Sequence, residues 1–156
     1  MSRDTLDIVP IRGSLPEGFD LLLVEARREG HEFLDRLHNG FGKGSEAYDG
    51  PREGAFAAFL GGRLAGVGSI AVDPYLGEPE IGRLRHVFVG EAARRKGIAE
   101  ALVTTCLERG RGFALIRLRT RNPDAARLYE RLGFTPVALE GTTHVYRPSA
   151  APAGSG

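Results

Sequence analysis

Between Ile98 and Arg109 the apolar side chains fall at Ile98, Leu102 and Cys106, with Ala99, Val103 and Leu107 beside them, while Glu100, Thr104 and Glu108 take the opposite side. Four-residue spacing of this kind predicts a helix with one buried stripe, ended by Gly110 and Gly112. A second helix, over 122–133, is marked by its ends: Asn122 at the N-cap, Pro123 in the first turn, Asp124 toward the positive end of the helix dipole, and Gly133 as the stop. Nearer the N-terminus, "LPEGFDLLLVEARREGHEFLDRLHNG" carries apolar residues at helical spacing, and Gly30 divides it into helices over roughly 16–29 and 31–39.

The remaining apolar runs alternate as strands do. They are an opening strand within 5–13, the pair 55–60 and 63–73 joined through Gly61-Gly62, then 83–89 after the turn "PYLGEPEIG", 114–120, and finally 135–141 and 143–148 about Gly141. The Gly-Gly link signals an antiparallel hairpin, whereas the strand–helix–strand crossover after residue 83 implies a parallel pair. The order is β-α-α-β-β-β-α-β-α-β-β, a mixed α/β (α+β) sheet in one domain over 1–147. A small, polar tail at 148–156 is expected to be disordered. The long loop at 40–54, "FGKGSEAYDGPREG" and the glycine before it, is of a length that points to function or mobility.

Composition narrows this little. A chain of 156 residues is long enough for a real core, and its net charge of +1 argues against nucleic-acid binding through overall charge. No apolar run approaches membrane-spanning length, and the N-terminus lacks a signal core. A single cysteine, Cys106, excludes an internal disulfide framework and fits a reducing, cytoplasmic setting.

Charge matters locally. In "GEAARRKGIAEALV", residues 90–103, Arg94, Arg95 and Lys96 run into Gly97 between a strand and a helix start. A helix N-terminus presents unpaired N–H groups and partial positive charge, and a glycine there leaves the backbone uncovered, so the turn suits a pyrophosphate. The alternative is a solvated basic turn. The spacing Arg-x-x-Gly-x-Ala does not decide, because Arg63-x-x-Gly66-x-Gly68 and Arg109-x-x-Gly112-x-Ala114 match it too. Only the copy at 94–99 opens a helix.

With "RLRHVFVGEAARRKGIAEALV" as strand, Gln/Arg-x-x-Gly-x-Gly/Ala and helix, and "NPDAARLYERLGF" as the Asn, short helix and Leu-Tyr-Glu-x-x-Gly-Phe after the next strand, the chain resembles the GNAT superfamily of acyl-CoA-dependent N-acyltransferases over 83–134. The resemblance implies a mainly antiparallel central sheet flanked by helices. It also implies acetyl-CoA as co-substrate, no metal, and a small-molecule or peptide amine as acceptor, with no nucleic acid or membrane as partner; homodimers are frequent in such proteins. The backbone at Val87, Phe88 and Val89 would pair with the pantetheine arm. Amides of Arg95, Lys96, Gly97, Ile98 and Ala99 would hold the pyrophosphate, with Arg94 in the Gln/Arg position. Asn122 would reach the pantetheine region, and Tyr129 would act catalytically at the thioester sulfur. Seven residues is almost two helical turns, so Asn122 and Tyr129 share a face, with Ala125 and Ala126 leaving room.

The implied reaction is N-acetyl transfer by direct attack of a primary amine in a ternary complex, without a covalent enzyme intermediate, since Cys106 lies on an apolar stripe. Phe134 reads as core. Relatives often place a Glu at what aligns as position 83, and here stands Arg83. The base is left open among Glu80, His86, a helix carboxylate (Glu25, Glu29, Glu32 or Asp35, more simply read as a solvated face) and water. Arg83 also motivates a different class of protein, a non-catalytic acyl-CoA sensor or regulatory module. A third reading is an α/β binding domain with an incidental basic turn.

Overall fold

Strand β3 (Arg63–Val72) is buried from residue 65 to residue 71, because both of its faces are covered. Gly66, Gly68 and Ile70 face one helix, and Val67, Ser69 and Ala71 face the other layer. The strand lies near the middle of a seven-stranded sheet of order β1-β2-β3-β4-β5-β7-β6. Its other members are β1 (Leu6–Pro10), β2 (Gly54–Leu60), β4 (Ile81–Val89), β5 (Leu115–Leu118), β6 (Thr135–Leu139) and β7 (Thr142–Tyr146). Every neighbouring pair is antiparallel except β4 with β5, as the crossover required. The computed structural model describes residues 5–148, so the tail expected at 148–156 lies outside the described residues but for Pro148.

Helix α3 (Ile98–Arg109) packs on one face of the sheet and buries the predicted stripe, with Leu102, Val103 and Cys106 fully covered. It lies close to β3 because that strand offers glycines: a Cβ at Gly66 would stand 2.8 Å from the Phe88 carbonyl oxygen and 3.2 Å from Leu102. Helix α4 (Pro123–Arg131) joins the same core through Tyr129, and Phe134 is buried with it. On the other face, α1 (Phe19–Arg28) and α2 (Phe33–Gly40) seat Phe19, Leu22, Leu23, Ala26, Leu34 and Leu37 against Ala55, Val67, Ala71 and Phe88.

All eleven expected elements are present, with shifted ends. Helix α1 begins at Phe19 rather than residue 16, because Gly18 takes a left-handed conformation (φ 93°) and caps it. Strand β4 starts at Ile81, inside the stretch read as a turn, because Ile81, Gly82 and Arg83 pair with Leu115, Ile116 and Arg117 of β5. The long 40–54 loop is neither featureless nor solvated throughout. It contains a 3₁₀ turn, Gly44–Glu46, and sends Glu46 and Tyr48 into buried positions against the sheet.

Candidate active site

The cleft follows from the pairing pattern. Strands β4 and β5 are bonded only at Ile81, Gly82 and Arg83, so β4 from Leu84 onward has β3 on one side and no strand on the other. The register with β3 also slips there: Val67 faces Phe88 and Ser69 faces Arg85, leaving His86 and Val87 opposite Gly68 alone. This is a β-bulge, which bends the strand and re-aims its backbone. His86 sits in it with φ 62°, left-handed for a residue with a side chain. Gly90 N donates to the Ala65 carbonyl (2.9 Å), so by antiparallel alternation Val89 and Val87 turn their backbone groups toward the open side. Val87 therefore offers both backbone groups, and Val89 its N–H, on an edge where an extended chain can add, while Phe88 turns to β3 and the Val89 carbonyl is taken by Arg94, which narrows the expected run 87–89.

Directly beyond this edge is the basic turn. Gly97 is left-handed (φ 78°) at the N-cap of α3, and Arg95 also has positive φ (65°). Left-handed residues among right-handed ones turn successive amides to one side, a concave anion nest. Among the described residues, the N–H groups of Arg95, Lys96, Gly97, Ile98 and Ala99 have no backbone or side-chain acceptor, the helix ladder starting with Ala101 N to Gly97 O at 3.0 Å. A Cβ at Gly97 would meet nothing within 4 Å, so the space over these amides is open. A row of unpartnered N–H groups at a helix start is of the kind that suits an anion.

Arg94 stands differently from its five neighbours. Its Nε donates to the Val89 carbonyl (2.9 Å), its Nη2 to Glu29 Oε1 (2.8 Å), and its guanidinium lies over the Phe88 ring at 5.4 Å. It works as a strut between β4 and α1. Glu25, one turn earlier on α1, accepts from the Glu91 backbone N–H. These two helix carboxylates are therefore ties between α1 and the loop that follows β4, which corrects their reading as a solvated face. Asp35 is held by Arg27, and Glu32 is exposed.

At the start of α4, Asn122 Oδ1 accepts from Asp124 N (2.8 Å) and Ala125 N (3.3 Å), the cap expected from the sequence. With its oxygen so used, Asn122 keeps only its amide N–H₂ for a ligand. Tyr129, on the buried side of the same helix, packs its ring 5.6 Å from Phe134 and 6.4 Å from His144. Burial, and next the neighbouring Cys106, push its phenol above the ordinary tyrosine range. Its hydroxyl stays protonated and has no hydrogen-bond partner among the described residues. His144 of β7 was not singled out in the sequence; it is buried, with Nε2 2.9 Å from Glu130 Oε2.

The candidate bases separate cleanly. Glu80 lies before β4, bonded to Arg52 at 3.1 Å and exposed, at the end of the strand away from the bulge; it is removed from the list by position. His86 is at the bulge, and burial first, then the charges of Arg85 and Arg36, push it down to about 3, with only partial opposition from the Phe33 backbone. Arg83, in the position where relatives carry Glu, is buried. It donates to Asp73 Oδ2 (3.3 Å) and to the Gly141 carbonyl (2.7 Å). Asp73, Arg117, Glu46 and Tyr75 surround it or its neighbours and were invisible as a group in the sequence, since they come from a strand end, β5, a 3₁₀ turn and a loop. The one available hint was Arg83 and Arg85 alternating in a strand otherwise apolar but for His86.

Residues 19–134 match a family model described as the acetyltransferase (GNAT) family. Acetyltransferase Atu2258 of Agrobacterium fabrum is 46% identical over 57 residues, and that match spans 35% of this chain and 42% of the relative's length. Among solved structures, a protein from Exiguobacterium sp. 255-15 superposes with a TM-score of 0.80 at 23% identity, over 92% of this chain and 93% of that one. An acetyltransferase of Bacillus subtilis in complex with CoA gives 0.62 at 19% identity, over 92% and 99%. At such identities these structures share the fold.

Proposed function

Because the chain belongs to the GNAT acetyltransferase family, we propose that it moves an acetyl group from acetyl-CoA to a primary amine by direct attack in a ternary complex. The observation that carries this reading is the open edge of β4 ending in a row of unpartnered amides at the α3 N-terminus. Val87 and the Val89 N–H would hold the pantetheine arm as an added strand. Arg95, Lys96, Gly97, Ile98 and Ala99 would hold the pyrophosphate, through backbone N–H groups, the dipole of α3 and two exposed cations. Asn122 Nδ2 would hydrogen-bond the arm from the α4 side.

Acetyl-CoA, when bound, supplies the activated thioester; the chain positions and polarises. Negative charge building on the carbonyl oxygen would meet a backbone N–H at the bulge, already aimed and free of reorganisation. Tyr129 is too weak an acid to surrender its proton outright to a thiolate with a pKa near 8.5. It would donate a hydrogen bond to the departing sulfur, whose proton comes in the net reaction from the amine. An imidazole held near 3 does not retain a proton taken from an amine with a pKa near 10, so His86 is not the base. The amine loses its proton to water. The acyl-CoA sensor remains the second reading, favoured by one observation: Arg83 is tied to Asp73 where a base would stand.

Calorimetric titration with acetyl-CoA tests the cradle. Gly97→Glu places a carboxylate among the amides and should weaken binding at least about a hundredfold, roughly 2.7 kcal/mol, with helix content unchanged. Unaltered affinity would place the cofactor elsewhere. Thiol release over an amine panel tests the transfer. Tyr129→Phe should cut turnover about tenfold or more while leaving acetyl-CoA affinity intact, in the range of a hydrogen bond to a charged group; equal turnover removes Tyr129 from the reaction.

A further inference from the structure

The sheet face under α1 and α2 carries charge that its own residues leave unbalanced. Arg85 Nη2 donates to Glu46 Oε2 at 2.6 Å, with side chains 8% and 9% exposed, yet Arg85 Nη1 is buried with no partner among the described residues. His86 Nε2 is 3.9 Å from the same Glu46 oxygen, and neither ring nitrogen is hydrogen-bonded. Arg36, exposed on α2, acts on His86 by its charge and donates from Nη1 to the Tyr75 hydroxyl at 2.9 Å. The Tyr75 ring stacks on Arg83 at 5.1 Å, and Arg83 and Arg117 share Asp73 at 3.3 and 4.0 Å. Three guanidinium groups thus share two carboxylates, and a fourth, Arg36, bonds Tyr75 instead. No third carboxylate lies within ion-pair distance of any of the four among the described residues.

Two of these arginines have structural work: Arg83 and Arg117 bond the Gly141 and Glu140 carbonyls and Thr142, and so pin the β6–β7 tip. Arg36 has no carboxylate partner among the described residues, and Arg85, paired with Glu46 through Nη2, keeps Nη1 without an acceptor. A buried guanidinium N–H without an acceptor is costly until one joins it, and the planar fork of arginine fits a carboxylate. The cofactor does not supply that anion. From Arg85 to Gly90 is five strand residues, about 16 Å at 3.3 Å each, and the amides that suit the pyrophosphate begin only at Arg95. That separation is about two Debye lengths at physiological salt. At the solvent side of this group Tyr75 is 61% exposed and Arg36 is exposed, whereas Arg85 Nη1 is covered.

The geometry points to an acceptor amine that also bears a carboxylate a few bonds away, seated by Arg36 and Arg85 while its nitrogen meets the thioester at the adjacent bulge. This rests on the acyl-transfer reading above. The test is calorimetric titration of the CoA-saturated full chain with the common α-amino acids, 4-aminobutyrate and the carboxamide of each. At least one acid should bind at least tenfold tighter than its own amide. Arg36→Met, whose one described side-chain bond is to Tyr75, should reduce that preference below threefold without changing thermal stability or CoA affinity; Arg36→Lys should keep part of it, having the charge without the fork. Amides binding as well as acids, or no ligand binding at all, overturns the inference, as does a preference untouched in Arg36→Met. Thiol release with the same ligands separates the two claims. A carboxylate preference in binding with no release strikes the transfer reading alone, whereas equal release from acids and amides strikes the carboxylate seat alone.

Discussion

Under α3 the sheet presents Ile70, Leu84, Ile116 and Leu118 to Leu102, Val103 and Cys106, all buried and none charged. On the other face, beside the apolar core that α1 and α2 form on Ala55, Val67, Ala71 and Phe88, the same strands and the end of β3 present Arg83, Arg85, His86, Arg117 and Asp73, also buried or nearly so. The alternation of a strand makes both faces available at every second residue, and this chain uses them for different ends. The apolar face contributes about 1.5–3 kcal/mol for each large side chain covered. The charged face contributes little net stability, since desolvation offsets attraction in buried pairs. What it contributes is position: it pins the β6–β7 tip and lines the floor beside the bulge. One face is apolar throughout, whereas the other sets a charged group beside an apolar core.

The largest effect expected from that contrast is on the charged face. Asp73→Ala leaves Arg83 and Arg117 buried without their shared carboxylate and should cost about 4 kcal/mol in chemical denaturation, as buried pairs do when one partner is removed. A loss below about 1 kcal/mol would show the pair to be solvated, and the contrast between the faces would fail. On the apolar face, Leu102→Ala should cost about 3 kcal/mol by lost transfer energy and a residual cavity, with acetyl-CoA affinity nearly unchanged.

A smaller effect concerns pH. His86 is lowered in the folded chain, to about 3, from an ordinary value near 6.5. The unfolded chain therefore takes up a proton that the native one refuses. This contribution to stability is complete above about pH 6.5 and is lost as pH falls toward 3, at up to about 1.4 kcal/mol per pH unit. His86→Asn tolerates the left-handed backbone and does not titrate, so denaturation at pH 7, 5 and 4 should fall less steeply in the variant. Equal slopes would mean that His86 is solvated. The smallest effect is at the partly exposed strut: Glu29→Ala should cost less than about 1 kcal/mol, the side chains of Glu29 and Arg94 being 30% and 39% exposed. A larger loss would make that tie part of the folding core rather than a surface link.

The element order, the stripe of α3, the Asn122 cap and the glycine-opened turn before Ile98 are legible in the residues alone. Each of these depends on residues within one or two helical turns or on a strand's own alternation, so local sterics and hydrogen bonding suffice to specify them. The sequence also contains the two motifs by which the family is recognised, because an anion nest and a capped short helix are local structures with local signatures. That β4 leaves β5 after residue 83, that His86 bulges out of register, and that Arg94 bonds Glu29 rather than standing free in the turn emerge only once the chain is folded. Folding alone gathers Arg36, Glu46, Asp73, Tyr75, Arg85 and Arg117 onto one face. These groups come from five separate elements and loops, and no periodicity links them. A charge 40 residues away in sequence acts only through space, and the sheet decides which charges share that space.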